Sequence, residues 1–191
     1  MARDETLTTG QKVRYLTTAE TAKLVRQKLK ATFPGQKFSV RSDNYAGGSA
    51  IRIRWTDGPR ETDVRSAMHT YEGATFDGMI DLKSYKDPVL VTFAGDDMPT
   101  LVSMGADWVM ETRDLSDEYI AMLTDKVNAG LARTTEYGAY TVDTLPWTGG
   151  VSYFVTPSGK SVNAYDGPTL IRRASAFFAP DGTEYEGAPY A

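Results

Sequence analysis

A chain of 191 residues, 41% of them hydrophobic, is long enough for one ordinary domain or two small ones and can bury a core. With no cysteine and a single histidine, His69, it excludes disulfides, thiolate zinc sites, cysteine nucleophiles and a zinc site built from several histidines of one chain. The formal net charge of -4 conceals a division: residues 1–70 carry 13 Lys+Arg against 7 Asp+Glu, and residues 71–191 carry 8 against 18, balances of +6 and -10.

Residues 1–14 lack periodicity and read as a flexible tail. Met1–Gly10 is polar, and no apolar run approaches the roughly 20 residues of a membrane span, which predicts a cytoplasmic protein with no membrane partner. Thr17–Phe33 is predicted to be a helix. Thr17 and Glu20 have capping-box spacing, Leu16, Ala19, Ala22, Val25, Leu29 and Phe33 form an apolar face, and Pro34-Gly35 ends it. Lys37–Arg41 and Ala50–Trp55 then alternate as strands, with Phe38, Val40, Ile51, Ile53 and Trp55 toward the core. Asn44–Gly48 connects them into an antiparallel hairpin whose other face carries Lys37, Arg41, Arg52 and Arg54. Asp57-Gly58-Pro59 turns into a second helix, capped by Thr56 or Asp57, with Val64, Ala67, Met68 and Tyr71 as its stripe.

Phe76–Asp81 reads as a loop or short strand, Pro88–Phe93 as a buried strand, and Leu101–Val109 as either strand or helix. Ser116 caps a third helix with Asp117 and Glu118 in its first turn and Ile120, Leu123, Val127 and Leu131 buried. Val151–Thr156, Ser161–Tyr165 and Leu170–Phe178 are predicted strands, separated by turns at Pro157-Ser158-Gly159 and Pro180-Asp181-Gly182. The expected fold class is α+β: an α-β-β-α unit with an antiparallel hairpin, then a strand, a helix and a β-rich C-terminal portion. The expected division is a tail over 1–14, a basic module over 15–86 and an acidic α+β portion over 87–191, either its own domain or a continuation of the first.

Several chemistries lack parts. Gly159-Lys160-Ser161 fails as a phosphate loop, because the pattern needs glycine where Phe154 stands; a hairpin turn is the expected reading. Ser49, after Gly47-Gly48, has only His69 as a possible base, and His69 is expected at a surface. Asp77 with Asp81, or Asp96-Asp97, has the oxygen ligands of a divalent-cation site, against a plainer role in fixing loops. No catalytic residue, metal or cofactor is therefore expected.

Two surfaces carry functional expectations. Lys37, Arg41, Arg52 and Arg54, with Tyr45 beside them and Lys23, Lys28 and Lys30 nearby, match phosphate contact and base stacking by DNA or RNA. Asp107, Glu111, Asp114, Asp117, Glu118 and Asp125 are the densest acidic set, suited to a basic groove on a partner protein. The plain reading of both is a solvated face.

The run Lys37–Ser42, then Tyr45, Gly47-Gly48-Ser49, Ile51, Ile53 and Trp55-Thr56-Asp57-Gly58-Pro59, followed by Phe76–Leu82, resembles the large polyvalent protein-associated domain of type 29, over roughly residues 16–86. The resemblance implies a protein of a phage, prophage or conjugative element, of the kind that carries counter-defence domains into a recipient cell with DNA. It brings no catalytic residues. The function it implies is non-catalytic binding of a host macromolecule, a defence protein or ribonucleoprotein complex, as an anti-CRISPR or anti-restriction inhibitor. A nucleic-acid-binding module and a metal-dependent hydrolase are the alternatives.

Overall fold

Strands form before the first helix. The computed structural model describes residues 4–6, 12–134, 136–145, 152–164 and 166–186. In it β1 (Asp4–Thr6) pairs antiparallel with β2 (Lys12–Tyr15), and Val13 is fully buried. The segment expected as a flexible tail is thus partly sheet. A four-residue strand with one buried side chain offers too few periods to register as a pattern.

The chain divides into two units, residues 1–55 with 63–112 and residues 56–62 with 113–191. Residues 86 and 87, where the basic module was expected to give way to the acidic portion, both lie inside the first. In that unit α1 (Thr18–Thr32) starts at Thr17, whose hydroxyl accepts from Glu20 N while the Glu20 carboxylate accepts from Thr17 N, a complete capping box. Its buried face is Thr18, Thr21, Ala22, Val25 and Leu29; Ala19 is exposed. The two threonines displace it because their hydroxyls are satisfied inside: Thr18 donates to Asn44 Oδ1 and Gly105 O, and Thr21 accepts from Gly105 N.

β3 (Ser39–Tyr45) and β4 (Gly48–Thr56) form the expected antiparallel hairpin, but pairing runs to Tyr45 opposite Gly48, leaving only Ala46-Gly47 as the turn. Gly47, at φ +92°, supplies the positive φ such a turn needs. α2 (Glu61–Met68) passes into a short 3₁₀ turn, His69–Tyr71. The side chains of Ala22, Val25 and Leu29 from α1 and Val64 and Met68 from α2 share one core with Ile51, Ile53 and Trp55, so both helices cover one face of the hairpin. β5 (Ala74–Asp77) and β6 (Leu82–Tyr85) make a second hairpin. β7 (Val89–Val91), β8 (Thr100–Ser103) and β9 (Trp108–Asp114) complete the unit, in sheets ordered β1-β2-β8-β7 and β3-β4-β9. β7 was expected to be buried. It ends its sheet, and Leu90 is 68% exposed.

The second unit has its own core around Leu123, Phe154, Leu170 and Phe178. α3 (Asp117–Leu131) is capped by Ser116 as expected, its hydroxyl accepting from Tyr119 N. The stripe begins at Tyr119 rather than Ile120, because the buried tyrosine hydroxyl has polar partners. β10 (Ser152–Val155) and β11 (Ser161–Ala164) form a hairpin, with Gly159 at φ +86° in its turn as the glycine signal predicts. Leu170–Phe178 is not a strand: α4 (Gly167–Ala174) covers its first half. Asp166 caps that helix by accepting from Thr169 N, Pro168 sits in its first turn, and Leu170 and Ala174 are buried one turn apart. The apolar cluster at its end masked these start signals. The fold class is mixed α+β, as expected. Among the described residues no helix is long and apolar enough to cross a membrane.

A buried cation is central to how residues 56–62 join this second unit. Arg113 is 5% exposed. Its Nε donates to Asp57 O (3.0 Å), Nη2 to Gly58 O (2.8 Å) and to Tyr119 Oη (3.0 Å), and Nη1 to Ser175 O (2.8 Å). The Tyr119 hydroxyl donates to Phe178 O. Asp57, at φ +54°, donates from its N–H to Asp114 O, and its Oδ1 accepts from Ser116 N. Thus Asp57 does not cap α2; it tethers the entry to α3. Burial pushes the Tyr119 hydroxyl up to about 12, Arg113 opposing only in part.

Arg113→Met is expected to cost about 2 kcal/mol, since Asp57 O loses its guanidinium donor while Gly58 O and Ser175 O keep only the Tyr185 and Tyr119 hydroxyls, with Arg113→Lys recovering little because an ammonium lacks the planar fork; urea unfolding measures both. Tyr119 favours its neutral form more in the folded than in the unfolded state. Stability is therefore expected to fall as pH rises from 10.0 through about 12. Tyr119→Phe should flatten that fall, and alkaline phenolate absorbance of the two proteins should differ by one tyrosine ionising near the upper value.

Candidate nucleic-acid interface

Because α1 and α2 cover one face of the β3–β4 hairpin, alternate side chains project from the other. The register sets Arg41 directly opposite Arg52 and Ser39 opposite Arg54, and all three arginines are exposed. Lys37, also exposed, precedes β3. Like charges directly opposite each other weaken a sheet, so Arg41 facing Arg52 is a costly choice for a face that needs only to be soluble. Asp43 on the same face gives Arg52 an ion pair at 3.3 Å, both side chains about half exposed; such pairs contribute little and exchange readily.

Tyr45 continues this face to the turn. A Cβ on Gly48 would lie 2.8 Å from Asp107 Oδ2 and 3.1 Å from the Tyr45 ring, so only glycine allows the three to meet. Asp107 Oδ2 accepts from Ser49 N (2.9 Å) and holds Lys83 Nζ at 2.8 Å. That hydrogen bond to Asp107 raises the Lys83 amine above its ordinary range. Lys83 Nζ in turn lies 5.1 Å from the Tyr85 ring centroid, and Phe76 is Lys83's register partner. Lys83, Phe76 and Tyr85 escaped sequence reasoning; the alternation through β6 was the one signal available.

The acidic set does not form one surface. Asp107 is buried under Lys83 as described. Glu111 pairs with Arg65 at 3.4 Å, and burial pushes its carboxyl up, opposed by that guanidinium. Asp114, Asp117, Glu118 and Asp125 are exposed and belong to the second unit. Asp117 and Glu118 occupy the first turn of α3, where the helix dipole favours negative charge.

The remaining candidates serve the fold. Ser49 Oγ donates to Gly105 O and accepts from Asp107 N, while His69, exposed, holds Nδ1 against Ser66 O. Asp77 Oδ1 accepts from Met79 N within the turn that Asp81, at φ +51°, completes. Asp96 and Asp97 lie in an exposed turn closed by Asp96 N to Phe93 O. Among the described residues no three carboxylates or histidines are grouped to hold a metal. A cavity of about 300 Å³ beside His69 is walled by Lys86 and Glu72, but Glu72 is spent on Lys86 (3.1 Å) and on Val109 N.

Residues 16–116, just over half of the chain, match the family described as large polyvalent protein associated domain 29. The match runs well past the stretch that resembled it by inspection and takes in Arg113 and Ser116, the partners of Asp57. No curated protein and no solved structure matches the chain.

Glu111 is expected to register in stability. Its raised folded-state value means that it contributes stability below 4.5 that is lost as pH rises through the carboxylate range. Glu111→Gln should therefore gain stability relative to the parent chain as pH rises from 4.5, with the difference flat once the parent carboxylate is ionised; urea midpoints across that range test it.

Proposed function

The chain belongs to the large polyvalent protein associated domain 29 family, a family of phages and mobile elements, and we propose that it works there by binding rather than by chemistry. Its working surface is the outer face of the β3–β4 hairpin. That face occupies a phosphate-bearing target in the recipient cell, nucleic acid alone or within a host ribonucleoprotein. Occupying such a target would make it an inhibitor of a defence system, of the anti-CRISPR or anti-restriction type.

The observation that carries this reading is Arg41 paired across the strands with Arg52, next to Arg54, all exposed on one sheet face. Three guanidiniums on one sheet face present forked donors to successive phosphates, Arg52 on exchanging its exposed ion pair with Asp43. The acidic set supports a protein partner less well, since Asp107 and Glu111 are already neutralised by Lys83 and Arg65.

Fluorescence anisotropy with labelled DNA and RNA at low salt tests the reading. Affinity should fall linearly with the logarithm of salt concentration, with a slope of about -2 to -3 for three phosphate contacts. Arg41→Glu, Arg52→Glu or Arg54→Glu should each weaken binding and reduce that slope by about 1. Binding undetectable at low salt with either nucleic acid defeats the reading.

A further inference from the structure

Resting on that reading, we infer that the bound nucleic acid is single-stranded, and that Tyr45, Phe76 and Tyr85 stack its bases while the arginines of β3 and β4 take its phosphates.

The three rings are exposed by 46%, 54% and 77%, and none belongs to the first unit's core. Leaving large aromatics in water forgoes the burial energy that places such residues inside. Their positions connect. Tyr45 ends the row of Arg41 and Asp43 on β3, two residues apart at each step. Its ring shares the space at Gly48 with Asp107, Asp107 holds Lys83, and Lys83 lies over Tyr85 and opposite Phe76. The order is therefore arginines, a ring, a lysine clamped by a buried carboxylate, and two more rings, all within the first unit.

That alternation of cations and rings is what a single strand requires: charge for the backbone and π-faces for unpaired bases, with no demand on sequence. A duplex keeps its bases stacked inside and offers these rings nothing, needing the arginines alone. A protein partner would favour apolar anchors with charge excluded from the centre of the patch, whereas Lys83 lies beside the Tyr85 ring and opposite Phe76 in register. The Asp107–Lys83 pair fixes β6 beside the β3–β4 turn, so the rings are placed before the strand arrives and their ordering costs little on binding.

The test is anisotropy at low salt with a labelled oligo(dT) of about 20 nucleotides and with a duplex of equal length. Single-stranded DNA should bind more tightly. Tyr45→Ala, Phe76→Ala and Tyr85→Ala should each weaken it by about 5- to 150-fold and leave the duplex unchanged. Tyr45→Phe and Phe76→Trp should keep the affinity, since the ring is what matters. Arg41→Glu should weaken both ligands. If neither ligand binds, the preceding reading fails and takes this one with it. If both bind equally and the alanine variants are silent, phosphate contact stands and the stacking role falls. If sedimentation velocity finds self-association that Phe76→Ala and Tyr85→Ala abolish while oligo(dT) binding is untouched, the rings form a contact between copies of the chain and the inference is overturned.

Discussion

One buried guanidinium gathers the loop after β4 and the ends of α3 and α4 in the second unit. Arg113 takes the carbonyls of Asp57, Gly58 and Ser175 and the hydroxyl of Tyr119, holding the loop that follows β4 in a path it would not otherwise keep, with Asp57 at positive φ. Asp57 N also donates to Asp114 O at the end of β9, so the last residues of neighbouring strands are pinned. Register matters here because a slip of one residue turns every side chain in a strand to the opposite face. Slipping β4 would send Arg52 and Arg54 into the core and Ile51 and Ile53 into water. A charge buried among neutral oxygens is costly to desolvate. It is tolerated where the guanidinium's donors are met, as they are here.

The two-layer packing of α1 and α2 on the hairpin decides which face stays wet. An antiparallel sheet with one solvated side is ordinary, and basic residues on it are ordinary too. What departs from the ordinary is two arginines placed directly opposite each other and three aromatic rings left largely in solvent next to them. Each costs stability or solubility in the isolated chain. Together they are the features that the proposed single-stranded ligand would use, guanidiniums for its phosphates and rings for its unpaired bases.

The charge balance of a stretch of sequence does not say where its charges meet. Arg65 of the basic stretch meets Glu111 of the acidic one, whereas Lys83 with Asp107 and Lys86 with Glu72 pair inside the acidic stretch, all within the first unit. An excess of one sign over a hundred residues says little about the surface, because partly buried carboxylates find cations wherever packing brings them. Asp107 illustrates this. In sequence it heads an acidic run; in the fold it holds the Lys83 amine that lies beside the Tyr85 ring.

Short-range chemistry was legible in the amino-acid sequence. The capping box at Thr17 and Glu20, the Ser116 cap, the glycine turns at Gly47 and Gly159, and the alternation that exposes Arg41, Arg52 and Arg54 all depend on neighbours within a few residues. The same local signals were present at Asp166 and Pro168, where the apolar run after them masked α4. Tertiary structure alone decided the rest, for a common reason: the partners are distant in the chain. Val13 becomes a core residue because β8 lies alongside β2, Ala19 gives way to Thr18 and Thr21 because Gly105 supplies their hydrogen bonds, and Tyr119 outranks Ile120 because Arg113 and Phe178 satisfy its hydroxyl. No periodicity within a strand or helix encodes such meetings, since each is fixed by long-range contacts that form only when the whole chain is packed.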